Sequence, residues 1–390
     1  MAGATLARRY QGPGPSNREK RFSISRSLRA IGEGGCTLRP AEPFTRLEES
    51  IHRRSAGQWS LKALSPIASG YVADVFRAEI EAPNQSPQTV IIKLRRETGG
   101  IDAQFCSYER EWFFYRHLRS RVRPMTPETY WQGESPAADE GLLFLEDLHP
   151  LVATTRASSS RRTMADQLVQ TSSRPPLGAS IHAEEQPGRN QPGSENWFKS
   201  GIDVAAALHG SDINRADIPY HFQDNLAQLG PLSDQERAAL EVLDASEQRA
   251  RFIALIEAQS MGITSDEQEP SGIIHCDLRP DNLITADEWA ILDWGDYCFG
   301  PLAFDLAYLF ATSHTPPSLV QSLLQRYVAE WQDVQSKAPL SPDYLLKRCK
   351  HYWPLVARTP LLFLANSGAP PSHGYWESVL SHSFDLWDAL

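Results

Sequence analysis

Cysteine is scarce in this chain: five in 390 residues, at positions 36, 106, 276, 298 and 349, with no Cys-x-x-Cys pair. An odd and scattered set argues against a disulfide framework or a cysteine-rich zinc site, and it fits a reducing compartment. No apolar run approaches the roughly 18 residues that a bilayer-spanning helix needs, so no membrane segment is expected. Basic charge is also short, with 38 Lys and Arg against 48 Asp and Glu and a formal net charge of -10. A chain built to grip nucleic acid shows the opposite balance. No internal repeat is present, which argues against solenoids and propellers. Nothing points to an obligate protein partner.

What is there divides the chain. A hydrophobic content of 41% allows a sizeable core, while 28 prolines imply much loop. Residues 1–31 carry Arg8, Arg9, Arg18, Lys20, Arg21, Arg26 and Arg29 against one acid, Glu19. An acid-poor, Arg- and Ser-containing start resembles an organelle-targeting segment. Gly12-Pro13-Gly14-Pro15 would break an amphipathic helix there, so residues 1–55 read as a disordered basic tail and the expected location is cytoplasmic. Residues 56–148 read as a β-rich lobe, 149–195 as a flexible insertion rich in Ser and Pro, and 196–390 as a mainly helical lobe. Within the first lobe, alternation over 72–81 and the β-branched run 89–94 predict strands joined by the turn Pro83–Pro87. Spacing of Phe105, Tyr108, Trp112, Tyr115 and Leu118 predicts a helix over 103–118. The expected fold class is α+β and two-lobed, a small β-rich lobe followed by a larger, mainly helical one.

The chemistry concentrates in His275-Cys276-Asp277-Leu278-Arg279-Pro280-Asp281-Asn282 and in Ile291-Leu292-Asp293-Trp294-Gly295. Phosphoryl transfer asks a protein for alignment and charge neutralisation rather than covalent work. Asp277 is the candidate base that orients a hydroxyl nucleophile. Asn282, five residues on, and Asp293, at the end of a hairpin predicted from 283–292, are candidate Mg²⁺ ligands. Gly295 is expected to allow the tight turn that follows. Arg279 can offset charge on the transferring phosphoryl group, or pair with an acidic acceptor or with Asp281. His275 reads as structural, and Cys276 as a small residue filling the turn.

In the first lobe Lys93 ends an apolar strand, where a charge is costly unless paired. Glu111 is the expected partner because Tyr108 and Tyr115 flank it on the apolar stripe; Glu109 faces elsewhere. Ser69-Gly70 is a candidate phosphate-covering turn, although one glycine stands where a Gly-rich loop has several. Glu146 and Leu148 sit where backbone groups would meet a nucleotide base. Trp331, Trp353, Trp376 and Trp387 suit core packing better than an aromatic cage for a quaternary amine.

These segments, with Glu111–Leu118, Ala207-Leu208-His209 and Gly300-Pro301-Leu302-Ala303-Phe304-Asp305-Leu306-Ala307, resemble the aminoglycoside phosphotransferase and choline kinase superfamily over about 60–150 and 195–310. The resemblance implies ATP or GTP with Mg²⁺, a small-molecule hydroxyl acceptor such as an aminoglycoside, amino alcohol or sugar, and a structural role for Asp305. Cys276 stands where such enzymes usually carry Gly, and Arg279 makes the loop look like that of a protein kinase. Two other readings remain: an inactive pseudokinase acting through contacts, and a protein kinase, against which stands the lack of an Ala-Pro-Glu segment after Asp293.

Overall fold

The computed structural model describes residues 41–69, 73–95, 108–148, 194–227, 229–243, 246–260, 269–285, 289–334, 340–366 and 373–390. Gly70, residues 1–40, most of the proposed insertion (149–193), the start of the predicted helix (103–107) and the turn 286–288 lie outside them. Residues 47–390 form one compact unit; of the unit 1–46, only the first turns of one helix are described.

Among the described residues, five strands make the first lobe: β1 Ser60–Ser69, β2 Ala73–Glu81, β3 Gln88–Arg95, β4 Thr129–Tyr130 and β5 Leu142–Glu146. Their order is β1-β2-β3-β5-β4 and every pairing is antiparallel. Alternation decides the buried face, with Ala78, Ile80, Val90 and Ile92 all buried. The turn between β2 and β3 places Asn84 at φ 63°, a conformation Asn tolerates better than most side chains. Val75 pairs with Lys93, and Lys93 in turn with Leu143, so the lysine sits on a central strand between two neighbours.

The tail expected over 1–55 is overturned at its end. Helix α1 spans Ala41–Arg54 and buries Leu47 and Ile51 one turn apart. Its last residue, Arg54, forms an ion pair with the buried Asp139 and donates to the Trp131 carbonyl at 3.2 Å. Asp139 also accepts from Trp112 Nε1 at 2.6 Å and from the Gly133 amide at 2.8 Å. One carboxylate thus ties α1 to helix α2, Tyr108–Phe113, which continues as a wider π turn over Phe114–Leu118. The π turn is the departure from the uniform helix expected there, and such turns accommodate an altered side-chain register.

The second lobe holds α3 Glu195–His209, α4 Phe222–Ala227, α5 Asp234–Ala239, α6 Glu247–Ser260, α7 Leu302–Thr312, α8 Pro317–Val334, α9 Pro342–Val356, α10 Arg358–Asn366 and α11 His373–Ala389. Ser194 caps α3 by accepting from the Trp197 amide, and Gly210 closes it. Two small antiparallel ribbons carry the site: β6 Ser271–Ile274 with β9 Cys298–Pro301, and β7 Leu283–Thr285 with β8 Trp289–Ile291. Helix α7 is buried along its whole length, so even its polar residues face protein. Trp331, Trp353, Trp376 and Trp387 are all buried, as core packing requires.

Candidate active site

The catalytic loop leaves β6 after Ile274 and is held from below by Asp305 of α7. Asp305 Oδ2 accepts from the His275 amide at 2.7 Å and Oδ1 from the Cys276 amide at 2.8 Å. His209 Nε2 lies 3.3 Å from Asp305 and its Nδ1 is 2.7 Å from the Tyr327 hydroxyl. A fully buried carboxylate is costly unless its oxygens are satisfied, and here backbone amides satisfy it. His275 is fully buried; its Nε2–H donates to the Leu292 carbonyl at 2.9 Å and its ring meets Trp294 edge-on at 4.7 Å. The loop bends at Cys276, φ 64°, a left-handed conformation that glycine adopts without strain.

Asp277 projects from that bend. Its Oδ1 accepts from the Tyr308 hydroxyl and its Oδ2 from Asn282 Nδ2, both at 2.8 Å. Asn282 Nδ2 also donates to the Asp277 carbonyl, which uses the amide nitrogen and leaves the amide oxygen out of that pair. Arg279 Nε lies 3.2 Å from Asp277 Oδ2 and its Nη1 3.6 Å from Asp281; the guanidinium lies 5.5 Å from the ring centre of Trp376. Burial opposes the Arg279 charge, but Asp277, Tyr308 and Asp281 together push its pKa up. Burial, then Asp277, pushes the Tyr308 phenol well above its ordinary range, so it donates rather than ionises. Sequence reasoning missed Tyr308. Its signal was available: it follows Asp305 by three residues and so shares a helix face with it.

Asp293 ends the β7–β8 hairpin. The Leu292 amide donates to the Asn282 carbonyl at 2.8 Å, so Asn282 and Asp293 flank the same hairpin end. The left-handed residue of the turn is Asp293 itself, φ 62°, not Gly295 as expected. Lys93 Nζ donates to Glu111 at 2.7 and 2.8 Å and to Asp293 Oδ1 at 2.7 Å. That ammonium joins β3, α2 and the second lobe across 200 residues of sequence. Burial opposes its charge, and Asp293 and Glu111 more than offset that. Lys93 holds the Asp293 carboxyl below its ordinary pKa, whereas burial pushes Glu111 up. Glu109 instead pairs with Arg95 at 2.7 Å, both well exposed. Among the described residues the buried Tyr115 hydroxyl has no hydrogen-bond partner.

At the hinge, the Glu146 amide donates to the Glu128 carbonyl at 2.8 Å and the Glu146 carboxylate accepts from the Glu128 amide at 3.1 Å. Arg77 Nε donates to Asp147 at 2.7 Å, and Leu148 is buried. The Glu146 amide is therefore committed to the β4 edge and does not face a ligand. Ser69 ends β1 opposite Asp74, and its partner Gly70 lies outside the described residues.

An antiparallel five-stranded lobe, a helical lobe and a Lys–Glu pair facing an aspartate after a hairpin define a phosphotransferase of the kinase-like fold that acts on hydroxyl acceptors. The model of the Phosphotransferase enzyme family matches residues 63–336, and the chain belongs to that family. Comparison with curated proteins yields no match. Among solved structures, choline kinase LicA from Streptococcus pneumoniae is 11% identical, with 90% of this chain and 100% of that chain covered and a TM-score of 0.50. Plasmodium vivax ethanolamine kinase is 12% identical, with 87% and 85% covered and a TM-score of 0.48. A choline/ethanolamine kinase family protein from Mesorhizobium loti is 13% identical, with 83% and 88% covered and a TM-score of 0.46. At such identities the likeness to LicA shows a shared fold and nothing finer. No described helix is long and apolar enough to cross a membrane.

Proposed function

We propose that the chain transfers the γ-phosphoryl group of ATP or GTP to a hydroxyl of a small acceptor such as an aminoglycoside, amino alcohol or sugar. The observation that carries this reading is the Lys93 ammonium, held at 2.7 Å from both Glu111 and Asp293. A cation fixed by a buried glutamate is positioned to receive phosphate oxygens in place of the Asp293 carboxylate. Asp277 orients the acceptor hydroxyl and takes its proton. Its two oxygens already hold Tyr308 and Asn282 but keep lone pairs for a further donor. Arg279, 3.2 Å from Asp277, can stabilise charge on the transferring group.

The donor set fits Mg²⁺. Asp293 keeps 48% of its side chain exposed, and the Asn282 amide oxygen is a second hard donor. Among the described residues no cluster of three His, Cys, Asp or Glu could hold a metal alone. That suits an ion bound through one or two side chains with nucleotide phosphates completing the shell. When bound, the ion would neutralise charge on those phosphates. Ser69-Gly70 is proposed to cover them, with the Glu146 carbonyl and the Leu148 backbone offered to the base.

The test is nucleotide consumption by purified protein, with Mg²⁺ or with EDTA, across a panel of amino-sugar, amino-alcohol and sugar acceptors. Acceptor-dependent, EDTA-sensitive turnover is expected. Nucleotide binding without turnover on any acceptor would instead favour the pseudokinase reading.

A further inference from the structure

Cys276 and Cys298 are free thiols whose Sγ atoms lie 3.3 Å apart. The contact is set by the fold: Cys298 is the register partner of Ile274, which ends β6 two residues before Cys276. Cys298 is fully buried, while Cys276 keeps partial exposure. The pair therefore joins a residue that keeps partial exposure to a fully buried one, with the two sulfurs already in contact. Cys276 also precedes Asp277 directly, and its own amide is fixed to Asp305 at 2.8 Å.

We infer that Cys276 and Cys298 form an oxidative modification site, an intramolecular disulfide made by a small peroxide, which displaces Asp277 and switches turnover off. Cys276 Sγ attacks one peroxide oxygen, the O–O bond breaks, and one water leaves with Cys276 as the sulfenic acid. Cys298 Sγ then attacks the Cys276 sulfur, the S–O bond breaks, and the second water leaves. Two thiols are oxidised, and one hydrogen peroxide is reduced to two waters. Burial holds the Cys276 thiol above its ordinary pKa, which makes the first step slow. The second is fast because the sulfurs already touch. Closing to a disulfide bond of about 2.05 Å moves the sulfurs together by roughly 1 Å. A displacement of about that size at a reacting group costs on the order of 10²-fold in rate.

The effect on turnover rests on the proposed phosphotransfer; the disulfide does not. The full chain is treated with hydrogen peroxide, then read by intact mass, by non-reducing peptide mapping and by nucleotide consumption. Expected are a mass lower by two hydrogens, a linked peptide joining 276 to 298, and turnover about 100-fold lower that dithiothreitol restores. Cys298→Ala, whose side chain takes no part in the site, should match the untreated wild type in turnover. Under peroxide it should yield a sulfenic acid at 276 and no linked peptide. Peroxide treatment that leaves 276 and 298 unlinked overturns the site. A linked peptide with unchanged turnover overturns the switch while leaving the proposed kinase activity standing. Absence of turnover before oxidation counts against the proposed function alone, since mass and peptide map still decide the disulfide.

Discussion

Asp277 and Asp293 are three-atom carboxylate groups of the same kind, yet their surroundings differ. Asp277 is surrounded by donors from its own lobe: Tyr308, Asn282 and Arg279. Asp293 takes a donor from the other lobe, Lys93, and stays half open to solvent. Replacing Asp277 with Ala should lower turnover by about 10²- to 10⁴-fold, the usual worth of a positioned base. Nucleotide affinity should hold, because the Lys93 ammonium and its partners Glu111 and Asp293 do not depend on Asp277. Stopped turnover assays and calorimetric titration check this together, and unchanged turnover would remove Asp277 from the reaction. Asp293→Ala should do the reverse, abolishing the difference in nucleotide affinity with and without Mg²⁺. Titration calorimetry that finds the difference intact would take the metal role from Asp293.

Elements read from short-range pattern were legible, and those fixed by long-range packing were not. The β7–β8 hairpin, the turn at Pro83 and the helix ending at Gly210 are declared by residues within a few positions of one another. Lys93 and Glu111 were legible for a different reason, since a charge at the end of an apolar strand demands a partner on the next element. Helix α1 was not, because its anchor, Asp139, lies 85 residues away. Tyr308 escaped notice because it lies in a mostly apolar helix, where a tyrosine reads as core. One consequence of such packing is titratable. His314, in the turn after α7, sits 2.6 Å from Ser378 of α11 and 5.3 Å, ring to ring, from His382 of the same helix. Burial, then the neighbouring His382, lowers the His314 pKa from 6.5 to about 4. The folded state therefore favours the neutral ring. Its contribution is complete above pH 6.5 and is lost as the pH falls toward 4. The loss should be at most about 3 kcal/mol. Thermal melts from pH 7 to pH 4 should show the wild type falling more steeply than His314→Asn, and parallel curves would rule this out.

At the scale of the molecule, the site exists only if the two lobes keep a fixed relation, and α2 enforces it. Phe114 is fully buried and stacks on Trp294 with ring centres 3.8 Å apart and planes 7° from parallel, and its edge meets Tyr297 at 5.3 Å. Arg110, from the same helix, donates to Asn225 at 3.1 Å and lies over the Tyr220 ring at 4.5 Å. These contacts hold Glu111, one helical turn before Phe114, and Asp293, immediately before Trp294, at one apolar seam. Residues 47–390 accordingly form one compact unit rather than two. Phe114→Ala should therefore cost about 3–5 kcal/mol, the usual price of truncating a buried aromatic ring. It should also weaken nucleotide binding without touching a ligand contact, because Lys93 and Asp293 lose their common frame. Calorimetric unfolding should show a single transition shifted down in the variant. Lobes that merely rested against each other would melt separately, and nucleotide affinity would survive the substitution.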